Sequence, residues 1–329
     1  MTETVAMSGT EKRKILWMTW EKQVRNRSMS RELGVPLFEI LSDRGRLFRY
    51  ASCIRRTVVL LYREKPAVVI CQNPSIVLTL LLLSLRSFFG FKLGIDAHFG
   101  GIDSSNGSEA PQWVLDYCNR SAELVIVTNE SHAQRVRSLG GKAFVCPDPL
   151  PDLSDHRGPG VENPHKVFFI CSFDIDEPYI EVFHAAEILA QEGFRFFVSG
   201  NYRKAGITPD DFPHVELLGF VPEAEFYGHL FSSQLVVDLT DNDDCLVCGA
   251  YEALEAGKPL VLSRKKALEE YFTGGTVFTE NKAAEIAAAV RVAYAERSRL
   301  EEESRQWVAR ARETMRVRIS GINRVLENI

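Results

Sequence analysis

The chain alternates short, almost wholly apolar runs with longer stretches in which apolar positions recur every three or four residues. This is the pattern of β-strands separated by amphipathic helices. In the first half, residues 14–20 (KILWMTW), 66–72 (PAVVICQ), 91–97 (FKLGIDA), 123–129 (ELVIVTN) and 142–148 (KAFVCPD) predict strands. The Arg- and Ser-rich segment 25–33 predicts the start of a helix, and residues 76–85, 111–122 and 130–140 predict three more. A second series follows, with strands at 166–172, 194–200, 214–220, 235–240, 259–263 and 276–279 and helices at 179–193, 223–233 and 248–256. Beyond Lys282 the pattern predicts nearly continuous helix. Regular strand–helix alternation predicts parallel, doubly wound sheets, so each half reads as a Rossmann-like α/β domain.

Between the halves, residues 147–165 concentrate Pro, Gly and Asp, as a linker does. The expected organisation is a flexible tail over residues 1–10, a first domain over 11–150, a linker over 151–165, a second domain over 166–305 and a final helix over 306–329. A length of 329 residues supports two domains, and 45% hydrophobic with 25% charged residues is a soluble globular composition. The apolar run Ile76–Leu85 (IVLTLLLLSL) is too short to cross a bilayer and predicts a buried helix.

Charge divides unevenly. The net charge is −5, yet residues 1–150 carry twenty Lys and Arg against fourteen Asp and Glu. The basic residues crowd between Lys12 and Lys65, among them Arg25, Arg27, Arg31, Arg44, Arg46, Arg49, Arg55 and Arg56. They suit either anionic headgroups and phosphorylated acceptors or an ordinary solvated helix surface. Seven scattered cysteines in apolar surroundings predict reduced thiols. Cys245 and Cys248 form a CxxC without a second CxxC or a His pair, which argues against structural zinc.

The richest chemistry lies in residues 244–263, DCLVCGAYEALEAGKPLVLS. An apolar strand runs into a polar turn and then a short helix, whose first amides and positive dipole end suit a phosphate. The backbone of Cys245, Leu246, Val247, Cys248 and Gly249 would meet that phosphate. Glu252, inside the helix, can accept hydrogen bonds from the two hydroxyls of a ribose, and Asp244, before it, can face the sugar beyond the diphosphate. An amphipathic helix stopped by Gly257 and Pro259 is the bland alternative.

This stretch resembles the retaining glycosyltransferases of family four, enzymes of the GT-B fold with two acids eight positions apart, a small-residue helix, then Gly, Pro and a strand. The first acid is Asp244 where Glu is usual, and Cys245 and Val247 replace the glycines that follow it. The resemblance implies two Rossmann-like domains facing a central cleft, with the final helix crossing back to the first. It further implies transfer of a sugar from a nucleoside-diphosphate sugar to a glycan or lipid-linked acceptor, with retention, without a metal or other cofactor, and in polysaccharide biosynthesis. A cytoplasmic location follows, with peripheral contact at the inner membrane face, where Phe88, Phe89 and Phe91 are candidates; no nucleic-acid partner is expected.

His98, after the strand 91–97 and before Phe99, Gly100 and Gly101, is the candidate catalytic partner of Asp244, with a structural histidine as the alternative. Gly200, Asn201 and Arg203 end a second-domain strand and can oppose the diphosphate, and Phe220 falls where the resembled loop meets the nucleobase. Arg25, Arg27 and Ser28, at a helix start, are candidates for acceptor or phosphate binding. The usual Arg and Lys clamp is replaced by Phe173 and Pro178, leaving Arg203, Lys204 or Arg264, Lys265 and Lys266 as substitutes. Asp241 and Asp243 form a DxD whose setting argues against a metal. A nucleotide-sugar epimerase of related fold and a non-catalytic GT-B-like partner are the alternative functions.

Overall fold

The computed structural model describes residues 13–43, 45–73, 75–104, 110–156 and 164–329, so the expected tail over residues 1–10 lies outside the described residues. The chain divides into two compact units, Met1–Asp148 with Val317–Ile329, and Pro149–Arg316.

The first unit contains strands β1 (Ile15–Thr19), β2 (Leu37–Glu39), β3 (Val68–Asn73), β4 (Lys92–Ala97), β5 (Leu124–Val127) and β6 (Ala143–Val145). They form one parallel sheet in the order β2-β1-β3-β4-β5-β6. Every residue of β3 is buried, because helices cover both faces of a central parallel strand. Its helices are α1 (Val24–Leu33), α2 (Arg46–Glu64), α3 (Ile76–Phe89), α4 (Phe99–Ile102), α5 (Gln112–Ser121) and α6 (Glu130–Ser138). Right-handed crossovers place α1 on one face and α2, α3, α5 and α6 side by side on the other.

The second unit repeats the plan with β7 (Lys166–Phe169), β8 (Arg195–Ser199), β9 (Val215–Gly219), β10 (Leu235–Asp238), β11 (Leu260–Ser263) and β12 (Thr276–Thr279), all parallel in the order β12-β11-β10-β7-β8-β9. Helices α7 (Tyr179–Ala190) and α11 (Ala283–Ala295) cover one face, with Phe169, Phe183, Val237 and Val290 in the core beneath them. Helices α8 (Glu223–Ser232), α9 (Cys248–Glu255) and α10 (Lys266–Tyr271) cover the other, around Phe168, Leu254 and Phe272. The last helix, α12 (Arg297–Asn328), follows α11 after a break at Glu296. Its end, from Val317, belongs to the first unit, where Ile322 and Leu326 are buried and Gly321 packs on Phe144.

Four elements were not expected. The helix begun at Val24 stops at Leu33, and β2 and α2 follow; the short helices α4 and α10 are the other two. A three-residue edge strand is too short to show period-2 alternation. In α2 the buried positions Cys53, Thr57 and Leu61 are masked by arginines and by exposed Leu47, Phe48 and Tyr62. No described helix is long and apolar enough to cross a membrane.

Candidate functional site

Open α/β sheets bind ligands beyond the carboxyl ends of the two strands where the strand order reverses. In the second unit these are the neighbours β7 and β10. The loop after β10 carries Asp244, and α9 then begins at Cys248. Glu252, one turn into α9, is half-buried. Burial, and then the charge of Glu223, push its carboxyl up to about 7, against the Tyr227 hydroxyl that bonds to it. Asp244 is also half-buried, in a turn where its amide donates to Asn242 Oδ1 at 3.0 Å.

The start of α9 differs from expectation. The amides of Gly249 and Ala250 face the buried carboxyl of Asp238, at the end of β10, and oppose the rise in its pKa. Burial pushes that carboxyl well above the usual range, and the charges of Glu177 and Glu252 add to the rise. A Cβ on Gly249 would lie 2.6 Å from Asp238 Oδ2 and 2.8 Å from Ile170 Cδ1, so the helix approaches the sheet as closely as it does because position 249 lacks a side chain. Gly249 is therefore turned into the unit rather than toward a ligand. Leu246 and Val247 are core residues, Cys245 is half-buried and Cys248 is exposed. All seven cysteines are free thiols.

The loop after β7 is built around Glu177. Its carboxylate accepts hydrogen bonds from the Ser172 amide at 2.9 Å, the Ser172 hydroxyl at 2.9 Å, the Asp174 amide at 2.9 Å and the Cys171 thiol at 3.3 Å. Successive amides converging on one anion form the concavity that elsewhere holds phosphates; here a side chain of the protein fills it. Phe173, at the expected position of a clamp arginine, is buried with φ +60°, and Pro178 caps α7. Sequence reading missed Glu177 and Asp238. The acids just before α7 and at the end of an apolar strand were the available signals.

The next loops lock onto this one. Gly200, φ +98°, donates to Gly219 O at 2.9 Å, and a Cβ there would lie 2.0 Å from Cys171 O. Asn201 is exposed and Phe220 is 92% exposed. Of the cations expected to replace the clamp, Lys204 pairs with Asp174, Arg264 with Glu269 and Glu280, Lys265 with Asp243, and Lys266 with Glu270. Arg203, exposed and lying over the Tyr202 ring, is the one of them with no ion pair among the described residues. The Asp241 and Asp243 side chains are engaged by Asn281 and Lys265.

In the first unit, β4 ends at Asp96 and Ala97, and His98 starts α4, its amide donating to Asn73 O at 3.0 Å. The His98 ring places Nε2 3.5 Å from Asp96 Oδ2, with about a quarter of the side chain (26%) exposed. Asp96 is fully buried against Arg25. Burial alone would raise the Asp96 carboxyl, but the Arg25 charge, with His98, outweighs it and holds the group well below the usual range. The residues of α1 expected to bind an acceptor or a phosphate have partners within the protein. Arg25 is buried on Asp96, Asp148 and Cys146 O; Arg27 makes a bidentate pair with Glu39; Ser28 donates to Arg25 O.

No protein-family model matches the chain, and no curated protein sequence does. Among solved structures, it is similar to HepE of Anabaena in complex with UDP-glucose, with 13% identity over 94% of this chain and 99% of that one and a TM-score of 0.72. Sucrose-phosphate synthase of Thermosynechococcus elongatus is 14% identical over 95% and 98%, with a TM-score of 0.73. UDP-GlcNAc 2-epimerase of Methanocaldococcus jannaschii is 13% identical over 90% and 98%, with a TM-score of 0.58. The chain has the GT-B fold shared with such glycosyltransferases, two parallel α/β sheets each in its own unit.

Proposed function

We propose that the chain is a glycosyltransferase that takes a sugar from a nucleoside-diphosphate donor, with retention, to a glycan or lipid-linked acceptor. The observation that supports this best is Glu252: a half-buried carboxyl on α9, beside the reversal of strand order, in a fold shared with a protein solved with UDP-glucose. In this reading Glu252 accepts the ribose hydroxyls, Asp244 contacts the sugar, and the exposed Phe220 meets the base. Arg203 and the backbone from Cys245 to Cys248 carry the diphosphate. Stabilising the departing phosphate while the acceptor attacks is the main catalytic task, and no metal is assigned to it.

The charges of Glu177 and Glu252 lie at this end of the sheet, so the anionic diphosphate of the donor must be compensated by Arg203 and backbone amides. Calorimetry with UDP-, GDP- and ADP-sugars tests the reading: one of them binds, and both Glu252→Ala and Asp244→Ala weaken binding or transfer. If none binds, the transferase reading fails and the filled loop around Glu177 marks a non-catalytic relative. The likeness to the epimerase supports a second reading. Incubation of the bound UDP-sugar without acceptor separates the two, since only an epimerase inverts C2.

A further inference from the structure

We infer that the groove between β2 and α2 docks an extended acidic peptide of a partner protein, which pairs with the open edge of β2. Strand β2 ends its sheet and pairs only with β1. In a parallel pair alternate residues face the neighbour: the Ile40 amide donates to Thr19 O at 2.8 Å, and Pro36 O accepts from the Trp17 amide at 2.9 Å. Leu37 and Glu39, one position out of step, turn their amides and carbonyls away from the sheet, and these groups have no hydrogen-bond partner among the described residues. Such an edge is a template for a further strand. The space beside it is open, a groove of about 740 Å³ with Leu37 and Phe38 on one wall and Val59 and Leu60 on the other.

Charge selects the occupant. The exposed guanidinium groups of Arg55, Arg56 and Arg63 line the same groove, and its one acid, Glu39, is already held by a bidentate pair with Arg27. Arg56 donates to Leu41 O at 2.6 Å, whereas Arg55 and Arg63 make no hydrogen bond or ion pair among the described residues. A second copy of this surface would set like charges against one another. Carboxylates would meet free guanidinium groups whose fork suits them.

Spacing refines the chemistry. Arg55, Val59 and Arg63 stand at successive turns on one face of α2, so the two arginines leave the helix about 12 Å apart with an apolar side chain between them. Along an extended strand, residues i and i+4 lie about 13 Å apart on one face, with i+2 between them. The face of α2 is therefore matched by an acid, a spacer, an apolar residue, a spacer and an acid. Because Leu37 and Glu39 offer only two amides and two carbonyls, these side chains carry much of the affinity. The docking groove is independent of the donor reading.

Fluorescence anisotropy on the full chain tests this with a labelled, end-blocked peptide, Thr-Glu-Gln-Ile-Gln-Glu-Thr, and its isomer Thr-Glu-Glu-Ile-Gln-Gln-Thr. The first should bind at least about tenfold more tightly than the second, which has the same charge without the spacing. Arg55→Glu/Arg63→Glu should weaken binding of the first by about tenfold or more while circular dichroism stays that of the parent. Arg305→Glu, an exposed arginine of α12 in the second unit, should leave it unchanged. Methylating the backbone nitrogens of every second peptide residue, in one of the two phases, should also cost about tenfold, since strand pairing uses alternate amides. A peptide that does not bind overturns the inference, as do isomers that bind equally, a pair of methylated peptides that both bind like the parent peptide, or α2 substitutions that act no more than Arg305→Glu. Peptide binding by a chain that binds no nucleotide sugar keeps the docking groove and removes only the transferase reading.

Discussion

Arg25 grips Asp96 with three hydrogen bonds, Nε at 2.9 Å from Oδ2 and 3.1 Å from Oδ1, and Nη2 at 2.8 Å from Oδ1, with both side chains buried. The pair ties α1 to the end of β4 and so fixes the carboxylate beside which His98 sits.

Removing Arg25 strands a buried carboxylate. Arg25→Met should destabilise the protein by about 3–5 kcal/mol, and Arg25→Met/Asp96→Asn by less than the sum of the single changes. Thermal denaturation of the four proteins checks this; simple additivity would deny the coupling. Because the folded Asp96 pKa is depressed, its contribution is present above the ordinary carboxyl pKa and is lost as pH falls through the folded value. Asp96→Asn should therefore flatten the loss of stability in acid below about pH 4.

Glu252 has the opposite sign. Its folded pKa is raised from 4.5 to about 7, so stability is fullest below 4.5 and falls as pH rises through 7. Glu252→Gln should abolish roughly 2–3 kcal/mol of that decline, read as melting temperature against pH. If the ionised carboxylate holds ribose hydroxyls, UDP should bind the parent protein more tightly at pH 8 than at pH 6 by about threefold or more, a difference absent in Glu252→Gln. A pH-independent affinity in the parent would remove Glu252 from the ribose.

Two glycines in helices should respond oppositely to alanine. Gly249→Ala drives a methyl into buried Asp238, 2.6 Å from Oδ2, and into the branched Ile170 side chain, 2.9 Å from Cγ2, and should cost about 2–3 kcal/mol. Gly228→Ala, in α8 with open space around it, should stabilise by about 0.5–1 kcal/mol. Denaturant titration of the two variants decides; equal effects would mean that α9 can shift away from the sheet.

These outcomes separate what could be read along the chain from what could not. Strands such as Val68–Asn73 and Leu235–Asp238 were legible because a central parallel strand buries both faces and becomes a continuous apolar run. The helices between them were legible by their 3.6-residue period, and together these features led to two parallel sheets. Strand β2 and helix α2 were hidden, the first by its length and the second by exposed apolar residues that belong to a surface.

The spacing of Asp244 and Glu252 is likewise a property of sequence, since one turn and one helix set it. The fate of the charges is not. Arg25 reads as a basic residue at a helix start, yet its partner is 71 positions away in sequence. The amide of Gly249 reads as part of an open anion site until Asp238 is seen to face it, and the loop at Ser172 closes on Glu177. Local spacing determines which groups a short segment can offer. Only the tertiary fold decides whether a distant side chain has already taken them, because burial makes each charge find a partner wherever the packed chain brings one near.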